Sequence, residues 1–169
     1  SLEVNGLDFS PGWVWIKKRS NAANSMVYDS VRGIKKHLHT NTKDTEVSEA
    51  DDDIGLNSFD SDGFTVKVNG NTNTNTHTFA SWNWKAGTAA SGNTSGSGTA
   101  KTFSSSSSST AGFSVVKYVG NGTANHAIPH GCGTAPKMII VKTTTKSNQA
   151  WPVDCRQGND GAGGIMYLD

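Results

Sequence analysis

Apolar residues, charges and cysteines are all scarce in this sequence, and each shortage removes a class of protein. Hydrophobic residues fill 34% and charged residues 17% of the 169 positions, and the net charge is +1. So small a charge gives no electrostatic case for binding nucleic acid or an anionic membrane. No apolar run approaches the roughly 18 residues of a membrane-spanning helix. The start has neither the charged opening nor the apolar centre of a signal peptide. Because the chain opens at Ser1 rather than methionine, a processed product or a fragment is expected. Two cysteines, Cys132 and Cys155, are too few for a disulfide framework.

What fills the gap is small and polar: serine, threonine, asparagine and 19 glycines. These residues favour extended and turn conformations over helix, so the composition predicts a β protein with much loop. Trp13 to Lys17 reads as a strand entered by the Pro11-Gly12 turn. Met26 to Tyr28 follows at hairpin distance, and a short strand is expected around Lys36 to His39. Phe64, Val66 and Val68 alternate with Thr65 and Lys67, while Phe79, Ser81 and Asn83 alternate with Ala80, Trp82 and Trp84. The asparagine-threonine run between these two segments is expected to be a long hairpin connection. From Ala86 to Thr110 the only large apolar side chain is Phe103, so this serine-rich stretch reads as a flexible linker. Ordering of that stretch against a neighbouring subunit is the alternative.

The chain repeats itself. An ungapped shift lays Pro11 on Pro136, Val14 to Lys17 on Ile139 to Lys142, Asp29 on Asp154 and Gly33 on Gly158. Turn and strand residues recurring together mark a repeated supersecondary unit. A smaller echo joins "DGFTVKV" at Asp62 to "AGFSVVKY" at Ala111. The expected organisation is a first β unit over 1–85, a linker over 86–110 and a second, incomplete unit over 111–169, where the chain is a window on a longer array.

The segments "GLDFSPGWVWIKKRS", "YDSVRG", "NSFDSDGFTV", "TFASWNWKAG", "TAGFSVVKYVGNGT" and "HGCGTAPKMIIVK" follow one another in an order that is itself informative. Together they resemble a repeat domain of structural proteins of tailed bacteriophages, particularly marine and cyanobacterial ones. The resemblance covers nearly all of the chain outside the serine-rich stretch. Cys132 stands where that family has leucine, Phe79 to Trp82 replace a tyrosine-led strand, and Lys67-Val68 replace a glycine turn. The resemblance implies a non-enzymatic virion component of the tail, a fibre or the capsid surface, assembled in the host cytoplasm. It also implies an antiparallel β-sandwich of the jelly-roll, lectin-like kind, and assembly with other virion proteins, with a homo-oligomer expected.

Sites of chemistry are harder to find. His37 and His39 with Glu49 to Asp53 lack the spacing of a zinc site, and Asp60 to Gly63 lack the later ligands of a calcium loop. No nucleophile elbow or phosphate loop appears, and no carboxylate pair is set apart as a glycosidase would need. His126 and His130 near Cys132 read as a turn between strands. No cofactor, metal or catalytic residue is therefore expected. If Met138 to Lys142 pairs with Ala150 to Asp154, Cys132 and Cys155 emerge near one end of that hairpin. A disulfide is then open to them, with two free thiols the default. A second functional class is a carbohydrate-binding module for host surface glycans. Its candidate platforms are Trp13, Trp15, Trp82, Trp84 and Trp151, and its polar rim Asn71, Asn73, Asn75 and His77. Trp82 and Trp84 share a strand face and are expected in the core rather than on the platform.

Overall fold

The computed structural model describes residues 1–50, 54–155 and 165–169. These residues form antiparallel strands and no helix. The strands, in chain order, are β1 (Leu2–Val4), β2 (Pro11–Lys18), β3 (Ser25–Asp29), β4 (Lys36–His39), β5 (Val47–Ser48), β6 (Leu56–Asp60), β7 (Gly63–Val66) and β8 (Phe79–Lys85). They continue as β9 (Thr88–Asn93), β10 (Ser95–Gly96), β11 (Thr102–Ser108), β12 (Phe113–Tyr118), β13 (His126–Ala127), β14 (Ile139–Ile140), β15 (Pro152–Asp154) and β16 (Ile165–Tyr167).

The main sheet runs β5-β4-β3-β2-β8. Alternation along β2 turns Val14 and Ile16 inward and Trp13, Trp15 and Lys17 outward. Every residue of β3 is buried, as befits a strand flanked on both edges. A covering sheet, β1-β7-β6, lies over the inward face, and Leu56, Phe64 and Val66 close on Val14, Ile16, Met26 and Tyr28 to make the core. Each such side chain contributes on the order of 1.5–3 kcal/mol by leaving water. Beside this core the fit is tight at Gly55 and Gly63: a Cβ at Gly55 would stand 2.6 Å from the Tyr28 hydroxyl, and one at Gly63 1.9 Å from the Val4 carbonyl oxygen.

The β3–β4 turn is held by a buried charge network. The Asp29 carboxylate accepts hydrogen bonds from the backbone N–H groups of Val31 and Arg32 at 3.1 and 2.8 Å and pairs with the Arg32 guanidinium. Arg32 also donates to the Val27 carbonyl at 3.2 Å and reaches Glu46 at 3.3 Å. Nearly every donor and acceptor of this buried pair has a partner, which offsets the cost of taking it out of water.

Two expectations are corrected by the topology. The asparagine-threonine run does not close a hairpin, since β7 pairs with β1 and β6 while β8 pairs with β2. It crosses from the covering sheet to the main sheet. The strand carrying Phe64 and Val66 ends there, and Val68, read as its continuation, is 70% exposed.

The serine-rich stretch is also not a free linker. It supplies β9, β10 and β11, and β11 is the central strand of the sheet β12-β11-β9. Six consecutive register pairs join β11 to each neighbour. Backbone hydrogen bonding and close approach of small side chains replace apolar burial here. Ser105, Ser106 and Ser107 are all buried as a result.

The two segments matched by the sequence shift can be compared in space. β14-β15-β16 form an antiparallel meander in the same order as β2, β3 and β4. The register differs by one residue: Asp29 pairs with Trp13, but Asp154 pairs with Ile139 rather than with Met138, the copy of Trp13. A slip of one exchanges the faces of a strand. Gly158, the copy of Gly33, lies outside the described residues.

The glycine contacts yield a paired prediction. Gly63→Ala must push β1 away from β7 and is expected to destabilise by about 1–3 kcal/mol. Gly70→Ala, where no atom lies within 4 Å, is expected to change stability by less than about 1 kcal/mol. Urea unfolding of both variants checks this.

Candidate functional site

Four tryptophans meet on the outward face of β2 and β8. Register places Trp13 beside Trp84 and Trp15 beside Trp82. The rings of Trp15 and Trp82 lie 5.6 Å apart and tilted by 51°. Phe113 of β12 stacks on Trp84 at 5.9 Å and meets Trp13 edge-on at 6.3 Å. The result is an aromatic ledge whose freest members are Trp82, 48% exposed, and Trp84, 37% exposed.

This overturns the expectation that Trp82 and Trp84 are core. The inward positions of β8 belong to Phe79, Ser81 and Asn83, which sit opposite Lys18, Ile16 and Val14. Strand alternation was legible, but which face would be covered depended on where the covering sheet landed. The arrangement leaves two buried polar atoms without partners, Nε1 of Trp15 and Oδ1 of Asn83. Each such atom costs roughly 1–3 kcal/mol.

The other proposed platform and rim residues lie elsewhere. Trp151 is buried at 2% exposure and donates its indole N–H to the His39 carbonyl at 3.0 Å, with the Lys142 ammonium 5.6 Å from its ring centre. It ties the repeat meander to the main sheet and offers no open ring. Burial pushes the Lys142 ammonium below its ordinary range. Asn71, Asn73, Asn75 and His77 belong to the crossover after β7. Asn73 donates its N–H to Asn69, Asn71 accepts from the Asn24 N–H, and His77 Nδ1 meets the Ser20 hydroxyl at 2.8 Å. His77 stands five residues along from Trp82, roughly 16 Å at strand rise. These groups therefore do not rim the ledge.

The carboxylates of Asp60 and Asp62 are engaged internally. Asp62 accepts the N–H groups of Gly6 and Asp8 at 3.1 and 2.6 Å, and Asp60 accepts the Thr65 hydroxyl at 2.8 Å. Among the described residues no three His, Cys, Asp or Glu side chains converge as metal ligands. Asp51 to Asp53 lie outside the described residues.

His37 is buried beside His39, 5.0 Å between ring centres. Burial first, then the charges of His39 and Arg32, lower its pKa to about 4, with Glu46 opposing. Glu49 lies 3.2 Å from Nδ1 without the alignment of a hydrogen bond, so the ring stays neutral.

The two cysteines are free thiols. The hairpin proposed to bring them together does form, with Ile139 beside Asp154. Cys132, however, turns to β12, where its sulfur meets the Ser114 hydroxyl at 3.4 Å. A cleft of about 580 Å³ opens between the serine-rich sheet and the start of β2, lined by Pro11, Gly12, Ser91, Ser104 and Ser106 among others. Neither this cleft nor the contact of Phe113 with the ledge has a signal in the sequence, because both join segments that are not neighbours in the chain.

The fold and the ledge define an all-β protein of several antiparallel sheets with aromatic and apolar surfaces left open. The chain belongs to a domain family of unknown function, DUF7483, whose model matches residues 1–168. No curated protein and no solved structure matches it.

The neutral His37 predicts a pH dependence. Its folded pKa lies below the unfolded value near 6.5, so the unfolded chain binds the proton first as pH falls. Stability from this group is complete above pH 6.5 and is lost between pH 6.5 and about 4, by up to about 3 kcal/mol. Urea unfolding at pH 7 and pH 4.5 checks it: His37→Gln should lose less stability across that interval than the native chain.

Proposed function

We propose that this chain is a non-enzymatic structural component of a phage virion, in the tail, a fibre or a capsid-surface appendage, acting through subunit assembly. One observation carries the assembly part. The repeat meander exposes Met138, Ile139, Val141, Ile165, Met166 and Tyr167, each by 39–59%. Monomeric proteins rarely leave contiguous apolar patches of this kind open to water. The virion part rests on the ordered run of motifs quoted above. In this reading the main and covering sheets are the two layers of a β-sandwich of the jelly-roll kind, and the partners are other virion proteins, including copies of the same chain.

Carbohydrate binding is the second reading, and the exposed pair Trp82 and Trp84 favours it. Two indoles on one flat strand face can stack against sugar rings, and a fibre must attach to a host surface. The ledge would then recognise a host glycan without Trp151 and without the asparagine-rich crossover.

Proteomics of density-purified particles from a phage that encodes this chain tests the first reading. Its peptides are expected in the particle, and their confinement to the infected-cell lysate would sink the proposal. A glycan array tests the second. Any glycan bound by the native chain should lose at least about tenfold in affinity with Trp82→Ala, roughly 1.4 kcal/mol. Unchanged binding by that variant would remove the ledge as the site.

A further inference from the structure

Among the edge strands of the described residues, β8 and β14 each carry exposed apolar side chains. β8 ends the main sheet, and β14 ends the repeat meander. β8 is seven residues long, charged only at Lys85, and shows Trp82 and Trp84 on one face. β14 sits in the stretch Met138 to Val141, with Lys137 and Lys142 only at its ends, and exposes Ile139 by 48% and Val141 by 39%. β8 is a long apolar edge and β14 a two-residue one flanked by the apolar Met138 and Val141; apolar edges are pairing sites unless charge, proline or a bulge guards them.

The internal repeat identifies what fits the vacant edge. β14 is the copy of β2, and in the first unit the corresponding edge of β2 is filled by β8 over most of its length. The chain thus contains both an open socket and the kind of strand that fills it. Within one molecule β8 and β14 belong to separate sheets.

From this we infer that β14 of one copy pairs antiparallel with the outer edge of β8 of a second copy. This rests on the assembly reading and specifies its contact. Setting Ile139 opposite the partner copy's Trp82 puts Val141 opposite Ala80 and Lys137 opposite Trp84, where its ammonium meets an indole face. Lys85 then faces Pro136, and no like charges oppose each other. The symmetric alternative, β14 against β14 centred between Ile139 and Ile140, sets Lys137 against Lys142 twice and is disfavoured. The joined sheet would run β16-β15-β14, then β8-β2-β3-β4-β5 of the next copy. Such a head-to-tail contact uses two different surfaces, so it continues from copy to copy until a ring closes or a filament grows.

Light scattering on a sizing column, with sedimentation velocity, tests this in a mixing design. The native chain should form species larger than a dimer as concentration rises. Trp82→Lys blocks the β8 edge and Ile139→Lys the β14 edge; each alone should be monomeric. Mixed, they should give a one-to-one dimer of twice the monomer mass and nothing larger, because one good edge remains on each. Trp84→Lys and Val141→Lys serve as second variants if a first one melts below the native chain. Self-association of either blocked variant alone would show a symmetric contact and overturn the inference, as would a mixture that stays monomeric. A monomeric native chain that is nonetheless found in particles would overturn the strand contact and leave the assembly reading standing. Absence from particles would sink that reading, whatever the mixing experiment gives.

Discussion

The closure of Phe64 and Val66 over Val14 and Ile16 is the contact on which the rest of this structure depends. With hydrophobic residues at 34% of the sequence, the chain has material for one good core, and that core is spent between the main and covering sheets. Everything peripheral is positioned by it. β3 is buried because both its edges and both its faces are taken, and the Asp29 and Arg32 charges at its end stay paired because that burial leaves them no water. Tyr28 fills the centre only because Gly55 leaves its hydroxyl room.

Away from the core, a different principle holds the chain together. The sheet of β9, β11 and β12 has almost no apolar interior, and it persists through paired backbone groups and small side chains. It is anchored at two points. Ala86 packs so closely on Gly12 that a Cβ there would lie 2.3 Å from the Ala86 Cβ, and Phe113 rests on Trp84 and Trp13. A serine-rich sequence that cannot bury surface can still be ordered when its neighbours satisfy its amides. This is why composition misjudged it.

The aromatic ledge and the open meander have a common cause. Both lie where a strand lacks a neighbour: β8 at the end of the main sheet, β14 at the end of the repeat. β2 has a flanking strand on each side, whereas β14, which the sequence shift lays on it, has only β15 among the described residues. Exposed tryptophan and isoleucine are therefore consequences of an uneven distribution of flanking strands between two copies of one motif, and they are the surfaces through which glycan recognition or assembly would act.

Alternation along β2, β7 and β8, the β2–β3 hairpin and the β14–β15 hairpin are written in the sequence, because strand period is a local property; the turn expected at Pro11-Gly12 is instead the first part of β2. Local signals do not say which face of a strand meets another layer, so Trp82 and Trp84 were misplaced into the core, and Trp151 onto the surface. Nor do they say which strand a given strand will pair with. Locally the crossover between β7 and β8 has the signals of a hairpin, and the serine-rich stretch those of a tether, because partner choice is settled by segments distant in the chain. Sequence by itself determined that this protein is built of β-strands. Tertiary structure alone decided which of their edges and faces remain open, because exposure is a property of what packs against a strand and not of the strand.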